Sequence, residues 1–193
     1  MLRDLLLKTR SYRNFVPGAA VTEQTLTDII EMTRYTPSTA NTQPVKYTYA
    51  YTPGLCKGLF ELLGWAGYIK ENKPPYPGNE PTAYIMLCWD KTICNQSPEI
   101  DVGICAQTVV LAAAQAGLGA CMIGSFDKEL AAKLFKLPEN IVPRLVIALG
   151  KPNEKIVLTD CEGGQIRYYR DEKLTHYVPK RTLEELIIAP PED

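Results

Sequence analysis

The chain has 193 residues, enough for one domain with a real core, and its 46% hydrophobic and 22% charged residues are ordinary for a globular protein. A net charge of −1 excludes bulk attraction to nucleic acid or to an anionic membrane. Six cysteines contain no Cys-x-x-Cys pair and stand beside a single histidine, His176, so zinc-ligand spacing is excluded too.

Residues 2–9 read as a short first helix. Its apolar patch, Met1 to Lys8, is too short and too interrupted for a signal peptide, and no apolar run approaches a membrane span. Cys88, Cys105 and Cys121 sit in apolar runs and read as small core residues, which fits a reducing cytoplasm. The first 13 residues hold Arg3, Lys8, Arg10 and Arg13 against Asp4 alone, a local charge of +3. Two guanidinium groups and the Ser11 hydroxyl, within Arg10-Ser11-Tyr12-Arg13-Asn14-Phe15, suit a phosphate ester with its several acceptor oxygens. A solvated basic helix end is the other reading of that segment.

Thr22 is the expected N-cap of a second helix, with Val21 and Leu26 placed as a hydrophobic staple and an apolar stripe through Ile29 and Ile30. The helix ends near Tyr35 and delivers Pro37-Ser38-Thr39-Ala40-Asn41-Thr42-Gln43-Pro44. The two prolines keep this segment out of helix. Asn41 and Gln43 each carry donors and acceptors, the equipment for reading a flat heterocycle edge, while composition alone also fits an ordinary polar turn.

Tyr47 to Tyr51 reads as a strand, and Lys57 to Leu63 as a helix reaching towards Lys70. Lys73 to Pro81 is a loop, because four prolines in nine residues block regular structure. Ala83 to Trp89 reads as a buried strand. Asp101 is the expected cap of a long helix to about Ala116, with Gly117 in the left-handed position at its end. That helix is apolar or small almost all round, as in a central core or an interface. Ala120 to Ile123 and Leu145 to Leu149 read as strands, and Leu183 to Ile188 as a terminal helix or arm. Pro179 is expected to put Lys180 and Arg181 on a turn.

Strands and helices do not alternate regularly, which argues for an α+β layered fold over a doubly wound sheet. Gly117-Leu118-Gly119 follows a helix and lacks the third glycine of a dinucleotide-binding turn, and no Walker-type loop is present. His176 alone supports no hydrolase triad and reads as a surface or packing residue.

The pattern Arg-Ser-x-Arg-x-Phe, followed by Pro-Ser-x-x-Asn-x-Gln-Pro, resembles the FMN-dependent nitroreductase family. The resemblance continues at Gly117 to Gly124 and ends at Tyr177-Val178-Pro179-Lys180-Arg181, nearly the whole chain. It implies one domain over 1–193 with a three-layer α+β fold, a mixed but mostly antiparallel central sheet flanked by helices, and an intertwined homodimer. It also implies FMN as cofactor and NAD(P)H as electron donor, with a nitroaromatic, a quinone or another small molecule as acceptor.

By the same resemblance, Arg10 and Ser11 hold the FMN phosphate or ribityl chain, and at least one of Lys180 and Arg181 closes on that phosphate. Arg13 stands near the flavin pyrimidine edge. Ile123 and Gly124 pass the N5 side, with Met122 and Ser125 as neighbours. Pro37, Ser38, Thr39, Asn41 and Gln43 come from the partner subunit. The flavin contacts of the mid-chain fall somewhere between Trp65 and Lys73. Three positions depart from the family pattern: Val45 replaces a frequent Trp, Thr9 a frequent Arg and Thr39 a frequent Ser. A protein that stores or senses FMN without turnover would use the same phosphate grip.

Overall fold

The structure, a computed structural model, describes residues 2–191; Met1 of the N-terminal apolar patch lies outside them. Four strands form the central sheet: β1 (Val45–Ala50), β2 (Ala83–Asp90), β3 (Gly119–Ile123) and β4 (Ile141–Gly150). Their order is β1-β2-β4-β3, and every neighbouring pair is antiparallel. Side chains of β2 divide between the two faces as the two-residue period of a strand requires. Ala83, Ile85 and Leu87 enter one core cluster, and Tyr84, Met86 and Cys88 the other. Both faces are covered, so β2 reads as a continuous apolar run rather than an alternating one.

Helix α1 (Leu2–Lys8) precedes α2 (Glu23–Glu31), which packs on the first face together with α4 (Glu99–Gln115). The second face carries α3 (Pro53–Phe60) and α5 (Lys128–Leu134). The result is the expected three-layer α+β arrangement. The central sheet is mostly antiparallel, as expected, its four strands pairing antiparallel throughout. Parallel pairing occurs at an isolated Ser11–Ala120 bridge and in a second sheet of β5 (Ile156–Asp160), β6 (Tyr169–Arg170) and β7 (His176–Lys180), where β5 and β7 run parallel. That small sheet and α5 escape the sequence reading.

Local chemistry explains the boundaries. Thr22 Oγ1 accepts from the Thr25 N–H at 3.1 Å, and Val21 and Leu26 bury in one cluster, so cap and staple both form. Leu118 N donates to the Ala113 carbonyl and Gly117 N to that of Ala114, with Gly117 at φ +77°, a complete Schellman end to α4.

Three expectations need correction. The third helix runs Pro53–Phe60, starting on the pre-set φ of Pro53, and does not reach Leu63 or Lys70. It stops because the next residues are recruited elsewhere: Leu63 bridges Phe126, and Gly64 N donates to the Ser125 carbonyl at 2.7 Å. Asp101 does not cap α4; it lies inside the first turn, after an N-cap at Pro98. Pro179 does not expose a turn but lies within β7, paired with Thr159 of β5. β6 reaches only Tyr177, so Pro179 has a neighbouring strand on one side, where a residue without an N–H is tolerated.

Candidate functional site

The segment from Arg10 to Val16 is pinned along one sheet edge. Tyr12 N donates to the Ala120 carbonyl at 3.0 Å, and Val16 N to that of Lys151 at 2.8 Å. Phe15 is fully buried over Gly150, where an added Cβ would sit 2.8 Å from its ring. Tyr12 lies over Gly119 in the same way, at 2.9 Å. Two aromatic residues seated on two glycines thus fix the backbone between them, including Arg13.

Arg13 lines a pocket of about 120 Å³ together with Trp65, Ala66, Ile123, Gly124 and Ser125. Three predicted residues, Arg13, Ile123 and Gly124, therefore converge, and Trp65 and Ala66 supply the mid-chain wall that the sequence left unplaced. The guanidinium of Arg13 donates to the Ser11 carbonyl at 3.2 Å and lies 5.0 Å from the centre of the Tyr168 ring. The pocket wall is held at Gly64, where any Cβ would stand 2.8 Å from Ser125 Oγ. Gly124 is different: an added Cβ there meets no chain atom nearer than 4.0 Å. The Cys121 thiol beside it is pushed up to about 11 by burial, so it stays protonated and is no nucleophile at neutral pH.

Arg10, Ser11, Lys180 and Arg181 are not among the residues lining this pocket. Arg10 is partly buried, donates to the Leu6 carbonyl at 2.7 Å, and keeps its Nε buried without a partner among the described residues. Ser11 and Lys180 are exposed. Arg181 pairs with Glu185 at 3.1 Å, and Glu185 also closes the capping box of Thr182 at helix α6 (Leu183–Leu186).

The Pro37–Pro44 segment is a tight turn in which Ala40, Asn41 and Gln43 all have positive φ, at 48°, 55° and 53°. Such geometry persists in non-glycine residues only where the surroundings over-determine it. Here the buried Asp101 carboxylate accepts from the Thr39 N–H at 2.8 Å and from its hydroxyl at 3.1 Å. Ser38 Oγ accepts from Gln43 N at 2.9 Å, and Gln43 Nε2 donates to the Asn41 carbonyl at 3.1 Å. Ser38, Asn41, Gln43 and Asp101 line a second pocket of about 220 Å³, while Pro37 and Thr39 are not in its lining. The two pockets share no lining residue. Replacing Asp101 with Ala is expected to cost about 1–3 kcal/mol, because a partly buried N–H and hydroxyl lose their acceptor. Urea unfolding measures it, and an unchanged midpoint would mean that the turn holds itself.

Behind Arg13 lies a group that sequence reasoning missed. Glu154 and Arg170 form a buried ion pair at 2.6 Å, with side chains 4% and 6% exposed. Glu154 also accepts from the backbone N–H groups of Arg13 and Asn14. Arg170 donates to Tyr76 Oη, and its Nε–H to His176 Nδ1 at 3.2 Å. His176 is only 1% exposed and is held down at about 4 by burial, with Arg13 and Arg170 adding to the effect. It is therefore neutral near pH 7 and packs rather than titrates. Its position directly before Tyr177-Val178-Pro179 was the one available hint; Glu154 and Arg170 carry no local signal. Among the described residues no three His, Cys, Asp or Glu gather as a metal site, and no helix is long and apolar enough to cross a membrane.

Residues 83–151, from β2 to the end of β4, match the Nitroreductase family model. A Bacillus subtilis (strain 168) protein provisionally named NAD(P)H nitroreductase YdgI is 23% identical, the match covering 77% of this chain and 87% of that protein. A provisionally named NADH dehydrogenase/NAD(P)H nitroreductase of Methanothermobacter thermautotrophicus is 26% identical over 77% of this chain and 76% of its own. The crystal structure of a nitroreductase family protein from Streptococcus pneumoniae TIGR4 superposes with a TM-score of 0.71 at 18% identity, covering 98% of this chain and 100% of that one. The chain is thus similar to nitroreductase family proteins in the stretch from β2 to β4 and, over nearly its whole length, in fold.

Proposed function

We propose that this protein is a homodimeric, FMN-dependent oxidoreductase that takes hydride from NAD(P)H and passes it to a nitroaromatic, a quinone or a similar small acceptor. The observation that carries the reading is that six of the predicted residues divide between two pockets with no common lining residue, Arg13, Ile123 and Gly124 in one and Ser38, Asn41 and Gln43 in the other. A pocket with a cation and an open glycine, and a second with amide and hydroxyl groups, are what two halves of one site would look like when each protomer supplies one half to the other. The NAD(P)H nitroreductase names of the relatives support the choice of electron donor.

The residues fit the cofactor. Gly124 leaves room beside the backbone that no chain atom fills. Arg10 Nε and Trp65 Nε1 are buried donors without a partner among the described residues. Arg10, Ser11 and one of Lys180 and Arg181 would hold the phosphate. Arg13, Ile123 and Gly124 would face the ring, and Pro37, Ser38, Thr39, Asn41 and Gln43 would approach from the partner. When bound, FMN supplies the acceptance and donation of hydride. The chain's part is position and charge. The Arg13 guanidinium is a fixed cation that favours a negatively charged ring edge. Trp65, packed on Phe60 at 5.7 Å between ring centres, forms part of the pocket wall. The Asp101 carboxylate holds the Thr39–Gln43 turn in its working shape. No side chain is needed as nucleophile or obligatory base.

Mixed dimers of R10A and N41A protomers test the sharing. Each homodimer is expected to bind FMN about tenfold or more weakly, the loss of a hydrogen bond to a charged or polar ring or phosphate group. A mixed dimer of shared sites regains one intact site, so half a mole of tight FMN per protomer should return. No tight site in the mixed dimer would place each whole site within one protomer.

A further inference from the structure

Arg13 is the cation nearest the pocket of Ile123 and Gly124, and behind it lies the buried carboxylate of Glu154. A guanidinium beside a buried carboxylate would ordinarily collapse onto it in a two-pronged pair. Here it does not. Glu154 Oε2 is taken by Arg170 at 2.6 Å and by the Asn14 side-chain amide at 3.5 Å, and Oε1 by the backbone N–H groups of Arg13 and Asn14. Between the Arg13 and Arg170 side chains stands the imidazole of His176. Its Nδ1 accepts from Arg170 at 3.2 Å, so the neutral ring carries its proton on Nε2 and offers no lone pair to Arg13, 3.5 Å away. Tyr168 completes the frame, with its ring 5.2 Å from that of His176 and 5.0 Å from the Arg13 guanidinium carbon.

We infer that Glu154, Arg170 and His176 form a positioning set that holds the Arg13 backbone while withholding the Glu154 carboxylate from its side chain, so that the charge of Arg13 stays available to an anionic or electron-rich ring edge in the pocket. The identity of that ring as FMN rests on the function proposed above. The set itself does not touch the pocket. Arg170 is the residue on which it turns, because it makes the short, charged contact to the second oxygen of Glu154, at 2.6 Å against 3.5 Å for the Asn14 amide.

The test is a pair of variants in which a merely structural role and a positioning role give opposite answers. R170M frees Glu154 Oε2, Arg13 turns onto it, and FMN affinity is expected to fall about tenfold, the usual size of coupling between groups in one charged network. E154Q/R170M removes the carboxylate as well, and affinity is expected to return to within about twofold of the parent. If the second change fails to restore what the first removed, or if R170M binds as the parent does, the positioning set is wrong. Should R170M not fold, the double variant decides alone: affinity within about twofold of the parent supports the set and a tenfold loss overturns it.

A readout without flavin separates this inference from the functional one. The nitrogen resonances of the Arg13 guanidinium are expected to change to those of an ion pair in R170M and to revert in E154Q/R170M. If the parent binds no FMN while these resonances behave so, the cofactor assignment falls and the positioning set stands.

Discussion

Replacing Glu154 with Ala is expected to lower folding stability by about 3–5 kcal/mol, the range for removing one partner of a buried ion pair. The size follows from what is left behind. Arg170, its side chain 6% exposed, keeps a charge that water cannot reach and no anion offsets. The backbone N–H groups of Arg13 and Asn14 lose their acceptor at the same time. These losses belong to one network and do not simply add. Glu154→Gln keeps an acceptor for the backbone and is expected to cost clearly less than Ala. Urea unfolding followed by circular dichroism gives both values. A loss below about 1 kcal/mol for Ala would mean that the pair is solvated like a surface salt bridge.

The second large effect is on binding. Gly124→Leu is expected to abolish FMN retention and to change stability by no more than about 0.5 kcal/mol, as for a substitution that disturbs no packing. An added Cβ at Gly124 meets only Leu145 Cδ1, at 4.0 Å, so the protein itself has room for a side chain there. The space it would enter is the pocket of Arg13, Trp65 and Ile123. Gly64→Ala is the contrasting control. Its Cβ would stand 2.8 Å from Ser125 Oγ and 3.1 Å from the Ser125 carbonyl, so it should disturb folding first. A Gly124→Leu protein that still retains FMN through desalting would show that this pocket is not where the ring lies.

The layers of this fold were written in the sequence wherever local chemistry decided them. Thr22 with Val21 and Leu26, Gly117 after an apolar helix, and the unbroken run Ala83–Trp89 each name their element without reference to the rest of the chain. The errors arose where a distant partner prevailed. Asp101 is a good N-cap residue by type, but it spends its carboxylate on Thr39, some sixty residues earlier. The helix expected from Lys57 is cut short by Ser125, which claims the backbone of Gly64. Pro179 sits in a strand because the neighbouring strand β6 is too short to reach it. The candidate site shows the same division. Arg13, Ile123, Gly124, Ser38, Asn41 and Gln43 could be chosen by motif, whereas Glu154 and Arg170 owe their roles to a fold that buries them together, 16 residues apart. No periodicity or spacing announces such a pair.

The most direct test is the visible spectrum of the purified protein after loading with FMN and desalting, retaken after anaerobic addition of NADH or NADPH. A retained flavin spectrum that bleaches on adding the nucleotide is the result predicted for an NAD(P)H-linked flavin oxidoreductase. A retained flavin that neither nucleotide reduces, or a colourless protein, would contradict it.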